Sequence, residues 1–200
     1  MGPRGIAVSV LAIDTASRSR VVCVLASPQG ELIDAAVIRG QPVGTSLPRM
    51  LMRMLDAADR AVVVVTGPGT YTGVRAGMAG ALGVADARRL PLHGLGALEV
   101  AACWDAGGLR DDTWVIADAG RGALYVARRH AAATPHRMRL EDFDPGGAAV
   151  VSSESLPIAG LVVIDPAAAL ARAVTLALSR PALRREGLTA AYVDAATATG

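Results

Sequence analysis

The amino-acid sequence predicts an α/β fold, on three observations. Apolar runs at residues 6–13, 21–26 and 31–38 follow one another across turns too short to hold a helix, so they form an antiparallel meander. Ala61–Val65 contains four consecutive valines, a β-branched run suited to a parallel strand covered on both faces. Between these strands, apolar residues recur at helical spacing.

Each element can be justified in order. Residues 14–20 close the first hairpin, and Ser27, Pro28, Gln29 and Gly30 supply the second turn. After a loop at 40–44, Ser46 is expected to cap a helix, with Pro48 in its first turn. Leu47, Met50, Leu51, Met54, Leu55 and Ala58 form its apolar stripe. The valine strand runs into a glycine-rich loop, 67–73, and a helix over 74–89. Leu92 and His93 read as a short strand, 96–106 as a helix, and 114–117 and 123–129 as two strands around a turn. Residues 130–155 mix Pro, Gly and charge and read as loop with one edge strand. A buried strand at 161–164, a helix at Pro166–Leu178 and a small, polar tail from 189 finish the chain. The order βββαβα is that of the half-unit of actin-like and ribonuclease-H-like folds. The chain therefore reads as two tandem halves: 1–110, βββαβαβα, and a reduced second half, 111–200.

Composition excludes several functions. Hydrophobic residues make up 52% of the chain and aromatics 3%, enough for an aliphatic core and too few for a base-stacking platform. There is no lysine, which removes a Walker lysine and a Schiff-base lysine. The net charge is only +2, and arginine pairs at 88–89, 128–129 and 184–185 are scattered. Scattered pairs sit on solvated faces, and an RNA-contacting surface is the weaker alternative. Cys23 and Cys103 lie far apart in apolar surroundings, as buried thiols of a reduced compartment. No apolar run reaches the roughly 18 residues of a membrane span, so a soluble, cytoplasmic protein is expected.

The strongest local motif is Gly67, Pro68, Gly69, Thr70, Tyr71, Thr72, Gly73, Val74, Arg75. Backbone N–H groups at such a strand-to-helix turn offer an anion site. The spacing fits neither a P-loop nor a dinucleotide-binding fingerprint, so a structural turn is the better reading. In the following helix Gly77, Gly80 and Gly83 recur every third residue, each costing about 1 kcal/mol against Ala. Close approach of another backbone would offset that, and the neighbour is either the chain's own core or a partner. Met50, Met52 and Met54 crowd the preceding helix, and Met52 falls off its stripe, which points to an interface. Asp14 and Thr15 are weak candidates for a cofactor contact, because the hairpin they open carries no glycine. Asp14 is expected to bond nearby N–H groups instead, and to neighbour Asp118 at the sheet ends. His93, His130 and His136 have no i, i+4 partner, so neither a metal site nor a catalytic constellation is expected.

These residues resemble the TsaB (YeaZ) family. The resemblance rests on residues 11–16, on the nine-residue glycine motif, on 91–95 with 97–99, and on Asp118, Ala119, Gly120, Arg121, Gly122, Ala123, Leu124, Tyr125, close to the family's D-A-R-R-G-E-V-Y. It implies an actin-like fold without kinase activity. It implies an accessory subunit that pairs with a TsaD-type catalytic subunit and a TsaE-type ATPase in transferring threonylcarbamoyl to the adenosine beside a tRNA anticodon. It also implies a homodimer when alone, and ATP or ADP with Mg²⁺ only at an interface with a partner. The first two helices would form the docking surface, through Leu47, Met50, Leu51, Met54, Gly73, Arg75, Gly77, Gly80, Ala81 and Val84. TsaD-like sequences bear a metal-binding H-x-x-x-H, which is absent here. A small-molecule kinase or a glycoprotease-like enzyme is the alternative.

Overall fold

A computed structural model describes residues 8–104, 109–183 and 190. The first sheet contains β1 (Val10–Asp14), β2 (Arg20–Ala26), β3 (Leu32–Arg39), β4 (Ala61–Val65) and β5 (Leu92–Leu95), in the order β3-β2-β1-β4-β5. β1 to β3 are an antiparallel meander, and β4 and β5 add parallel to β1. The second sheet contains β6 (Trp114–Gly120), β7 (Ala123–Arg128), β8 (His136–Arg139), β9 (Val150–Ser152) and β10 (Leu161–Val163), in the order β10-β9-β6-β7-β8. Its pairings repeat those of the first sheet strand for strand, antiparallel for β6 to β8 and parallel for β9 and β10. This is the actin-like arrangement of two halves, the second lacking helices between its β8, β9 and β10.

Every residue of β1, β2 and β4 is buried although successive side chains point to opposite faces, so both faces of the first sheet are covered. Helices α1 (Val43–Met54) and α2 (Tyr71–Arg88) pack together on one face. Helix α4 (Pro166–Leu178), from the far end of the chain, packs on the other, and the short α3 (Ala97–Ala102) joins it to β6. The expected division at 110 and 111 thus separates the strands of the two sheets, while α4 crosses back to the first.

Four local expectations are corrected, the first being the burial of the last strand: β10, expected to be buried, is an edge strand with Val162 and Val163 exposed, because nothing among the described residues covers that edge. Ser46 does not cap α1: the Pro42 carbonyl accepts the Thr45 and Ser46 N–H groups, so the helix starts at Val43 and Ser46 lies buried within it. Helix α2 starts at Tyr71 rather than 74, because the Thr70 hydroxyl accepts the Gly73 N–H and draws Tyr71 to Gly73 into the first turn. The region read as loop with one edge strand holds two strands, edge strand β8 and the interior, three-residue β9. The tail from 189 lies outside the described residues, apart from Ala190.

Candidate functional site: the cleft between the halves and the outer helices

The equivalent strands β1 and β6 each carry an aspartate at or near their C-terminal end, and the two turns are built alike. Asp14 Oδ1 accepts the Ala16 N–H at 2.9 Å, and Asp118 Oδ1 accepts the Gly120 N–H at 2.7 Å. The fold brings both carboxylates onto one cavity of about 20 Å³, room for a single water, which Pro68 and Gly69 of the glycine motif also line.

A buried arginine fills the space between the halves. Arg20 opens β2, and its guanidinium lies 3.6 Å from Asp14 and 3.5 Å from Glu154. It also donates to the Ser153 carbonyl at 3.0 Å and to the Ser153 hydroxyl at 2.7 Å. Glu154 accepts in turn from the Ser17 hydroxyl and, at 2.8 Å, from the Asp118 N–H. Only 6% of the Arg20 side chain is exposed, so these pairs are held away from water, where each charge depends on its partners. Beside them, burial and then the Asp14 carboxylate push the Cys23 thiol up to about 12, so it remains a protonated core residue. Among the described residues, no three His, Cys, Asp or Glu side chains gather as a metal site.

Sequence reasoning placed Asp14 and Asp118 here and missed Arg20, Ser153 and Glu154. The available signal was an arginine opening an otherwise apolar strand.

The glycine motif is occupied by the chain itself. A Cβ on Gly69 would stand 2.5 Å from the Ala16 carbonyl oxygen, one on Gly73 2.1 Å from that of Thr15, and one on Gly77 2.1 Å from the Thr15 hydroxyl. Thr70 N–H donates to Ala16, and the Thr15 hydroxyl donates to the Gly73 carbonyl at 2.7 Å. Loop and helix therefore clamp the exit of β1, and Thr15 serves that clamp. Gly80 faces Leu51 and Leu47 of α1, at 3.0 and 3.2 Å. Gly83 meets nothing within 4 Å.

This placement revises the expected docking residues. Leu47, Met50, Met54, Gly73, Gly77, Ala81 and Val84 are buried in the chain's own core, Leu51 and Gly80 are half-buried, and only Arg75 is exposed. Arg75 donates to the Tyr71 hydroxyl at 2.8 Å and lies over that ring. The stripe that reads as an interface is the inner face of each helix. Their outer faces carry Met52, 74% exposed, and Tyr71, 62% exposed. Of the second half's motif, Arg121 and Gly122 form the exposed tip of the β6–β7 hairpin, and Tyr125 packs half-buried against the core of the first half.

Two duplicated sheets closed on a cleft define an actin-like fold. The fold superposes on YeaZ from Pseudomonas aeruginosa with a TM-score of 0.70, at 19% identity, over 93% of this chain and all of that one. An uncharacterized protein similar to peptidase YeaZ, from the same organism, gives 0.66 at 20% identity, over 94% of this chain and 100% of that one. Residues 53–182 match the model of the family described as TsaD, tRNA N6-adenosine threonylcarbamoyltransferase. The chain belongs to that family. Among curated proteins it is 33% identical to an uncharacterized protein of Mycobacterium leprae, over 78% of this chain and 46% of that one. It is 34% identical to one of Mycobacterium tuberculosis, over 60% of this chain and 59% of that one. The chain thus spans about half the length of these curated relatives.

Proposed function

We propose that this chain is a non-catalytic partner subunit that holds a TsaD-type catalytic subunit for threonylcarbamoyl transfer to tRNA adenosine, together with a TsaE-type ATPase. The single observation behind this is Gly83. The chain's own packing accounts for Gly73, Gly77 and Gly80, whereas a Cβ on Gly83 meets nothing within 4 Å among the described residues. A glycine inside a helix weakens it by about 1 kcal/mol, and a second protein's backbone lying on α2 would offset that. Tyr71, Arg75, Ala79 and Gly83 follow at i, i+4 spacing, so they share one outward face. Met52 of α1, exposed, apolar and flexible, offers further contact area.

The non-catalytic part of the reading is supported by the innermost space between the halves: Arg20 and its partners leave about 20 Å³ beside Asp14 and Asp118, room for one water against those carboxylates, with open recesses remaining at the mouth. ATP or ADP with Mg²⁺ would then belong at the joint with the partner. A homodimer of the chain alone would use the same outer face and exchange for the heteromeric pair.

Co-purification with the cell's TsaD-type protein tests the proposal. Met52→Asp and Tyr71→Asp, both on exposed positions, should abolish pairing while leaving the melting temperature within a few degrees of wild type. Undiminished pairing in the double variant would refute the docking surface.

A further inference from the structure

We propose that the mouth of the cleft is a binding groove for the phosphodiester backbone of RNA. Two recesses lie there, of about 410 and 510 Å³, and they share Arg18 and Asp118. Arg18, Arg20 and Arg39 line the first, and Arg18, Arg121 and Arg137 the second. The carboxylates present are Asp118, paired with Arg18 at 3.7 Å, and Glu154, held by Arg20. With Asp14 counted beside Arg20, five arginines face three carboxylates, so the groove carries +2, as much as the whole chain. The arginine pairs at 88–89 and 128–129 do not line it; folding assembles it from five separate turns and strands.

Three features mark the charges as held for a ligand. Arg39 stands directly opposite Arg20 across β2 and β3, and whereas Asp14 and Glu154 offset Arg20, no carboxylate among the described residues pairs with Arg39. The Nε of Arg20, buried beside the groove, has no hydrogen-bond partner among the described residues. Arg121 is held at φ 55°, left-handed, between Gly120 at 71° and Gly122 at 68°, where glycine would be the unstrained choice. Arg39, Arg121 and Arg137 form no ion pair among the described residues.

The groove is open and lacks aromatic rings, so it suits a track of phosphates rather than a stacked base. The choice of RNA among polyanions rests on the function proposed above; the phosphate chemistry rests on the groove alone.

The test is the anisotropy of labelled, unmodified tRNA with the full chain and no second protein, from about 50 to 200 mM salt. Arg39→Ala, Arg121→Ala and Arg137→Ala should each weaken binding several-fold and flatten the log–log salt slope by roughly one. Arg49→Ala and Arg60→Ala, exposed elsewhere, should change neither, and thermal melts confirm that all five variants fold. Absent tRNA binding at low salt, or slopes unchanged in the three groove variants, would overturn the proposal. Displacement of tRNA by ATP at equal phosphate concentration would assign the groove to a nucleotide and overturn it too. Because the assay contains no partner, failure here leaves the Met52 and Tyr71 surface standing, and failure of pairing leaves the groove standing.

Discussion

At the scale of single residues, two glycines of one helix should respond oppositely to the same change. Gly77→Ala puts a methyl 2.1 Å from the Thr15 hydroxyl, and should cost about 1–3 kcal/mol in urea unfolding. Gly83→Ala meets open space and should stabilise the isolated chain by about 1 kcal/mol. It should also weaken pairing with the TsaD-type partner, which separates folding from docking in one variant. The triplet spacing of these glycines was legible in the sequence. Which neighbour each one meets was not, because that depends on the crossing of α2 over β1 and α1, and spacing carries no crossing angle. Two further residues set the response to acid. Burial pushes the His93 imidazole below its usual 6.5, outweighing the opposing influence of the Ala177 and Arg180 backbone. Burial also opposes the Glu99 carboxylate, but hydrogen bonds from Arg180, at 2.6 and 3.1 Å, and from the Gly96 N–H outweigh it and hold the group below 4.5. In both cases the unfolded chain binds the proton more readily, so stability falls as pH drops, first below 6.5 for His93 and then below 4.5 for Glu99. Denaturant midpoints measured across that range should fall in two steps, and His93→Gln should remove the upper one.

At the scale of elements, the first half was readable because each signal is long or chemically distinctive. Buried strands β1, β2 and β4 are unbroken apolar runs, and α4 begins with Asp165 accepting the Ala167 N–H ahead of Pro166. The second half was harder. β9 has three residues, too few for any period to show, and it forms because β6 offers a paired edge rather than because its own sequence insists; β10 was legible as a strand, but its apolar run did not tell that it lies exposed at the edge beside β9. The start of α2 was misplaced for the opposite reason: a Thr hidden inside a glycine motif supplies a cap. Thr70→Ala should cost roughly 0.5–2 kcal/mol and fray the first turn, detectable as faster amide exchange at Gly73 and Val74. Tyr71 lies in that turn, so the same variant should also loosen the proposed docking face.

For the whole molecule, the joint between the halves is the decisive feature, and its main residue was invisible in the sequence. Arg20 is one letter at the edge of a strand until folding sets Ser153 and Glu154 against it from residues more than a hundred positions away. Arg20→Met would leave Asp14 and Glu154 buried without their counter-charge, and should cost roughly 3–5 kcal/mol, a large share of a typical domain's 5–15 kcal/mol. Equilibrium unfolding should then lose its single sharp transition, as the second sheet loosens before the first. The return of α4 sets a limit on synthesis. The nascent first sheet emerges from the ribosome with one apolar face bare, and Leu170 and Val174, which seal it, follow β1 to β3 by more than a hundred residues. That face must stay shielded until α4 has been made, and a product cut short before α4 should aggregate or be degraded rather than survive as a half-protein.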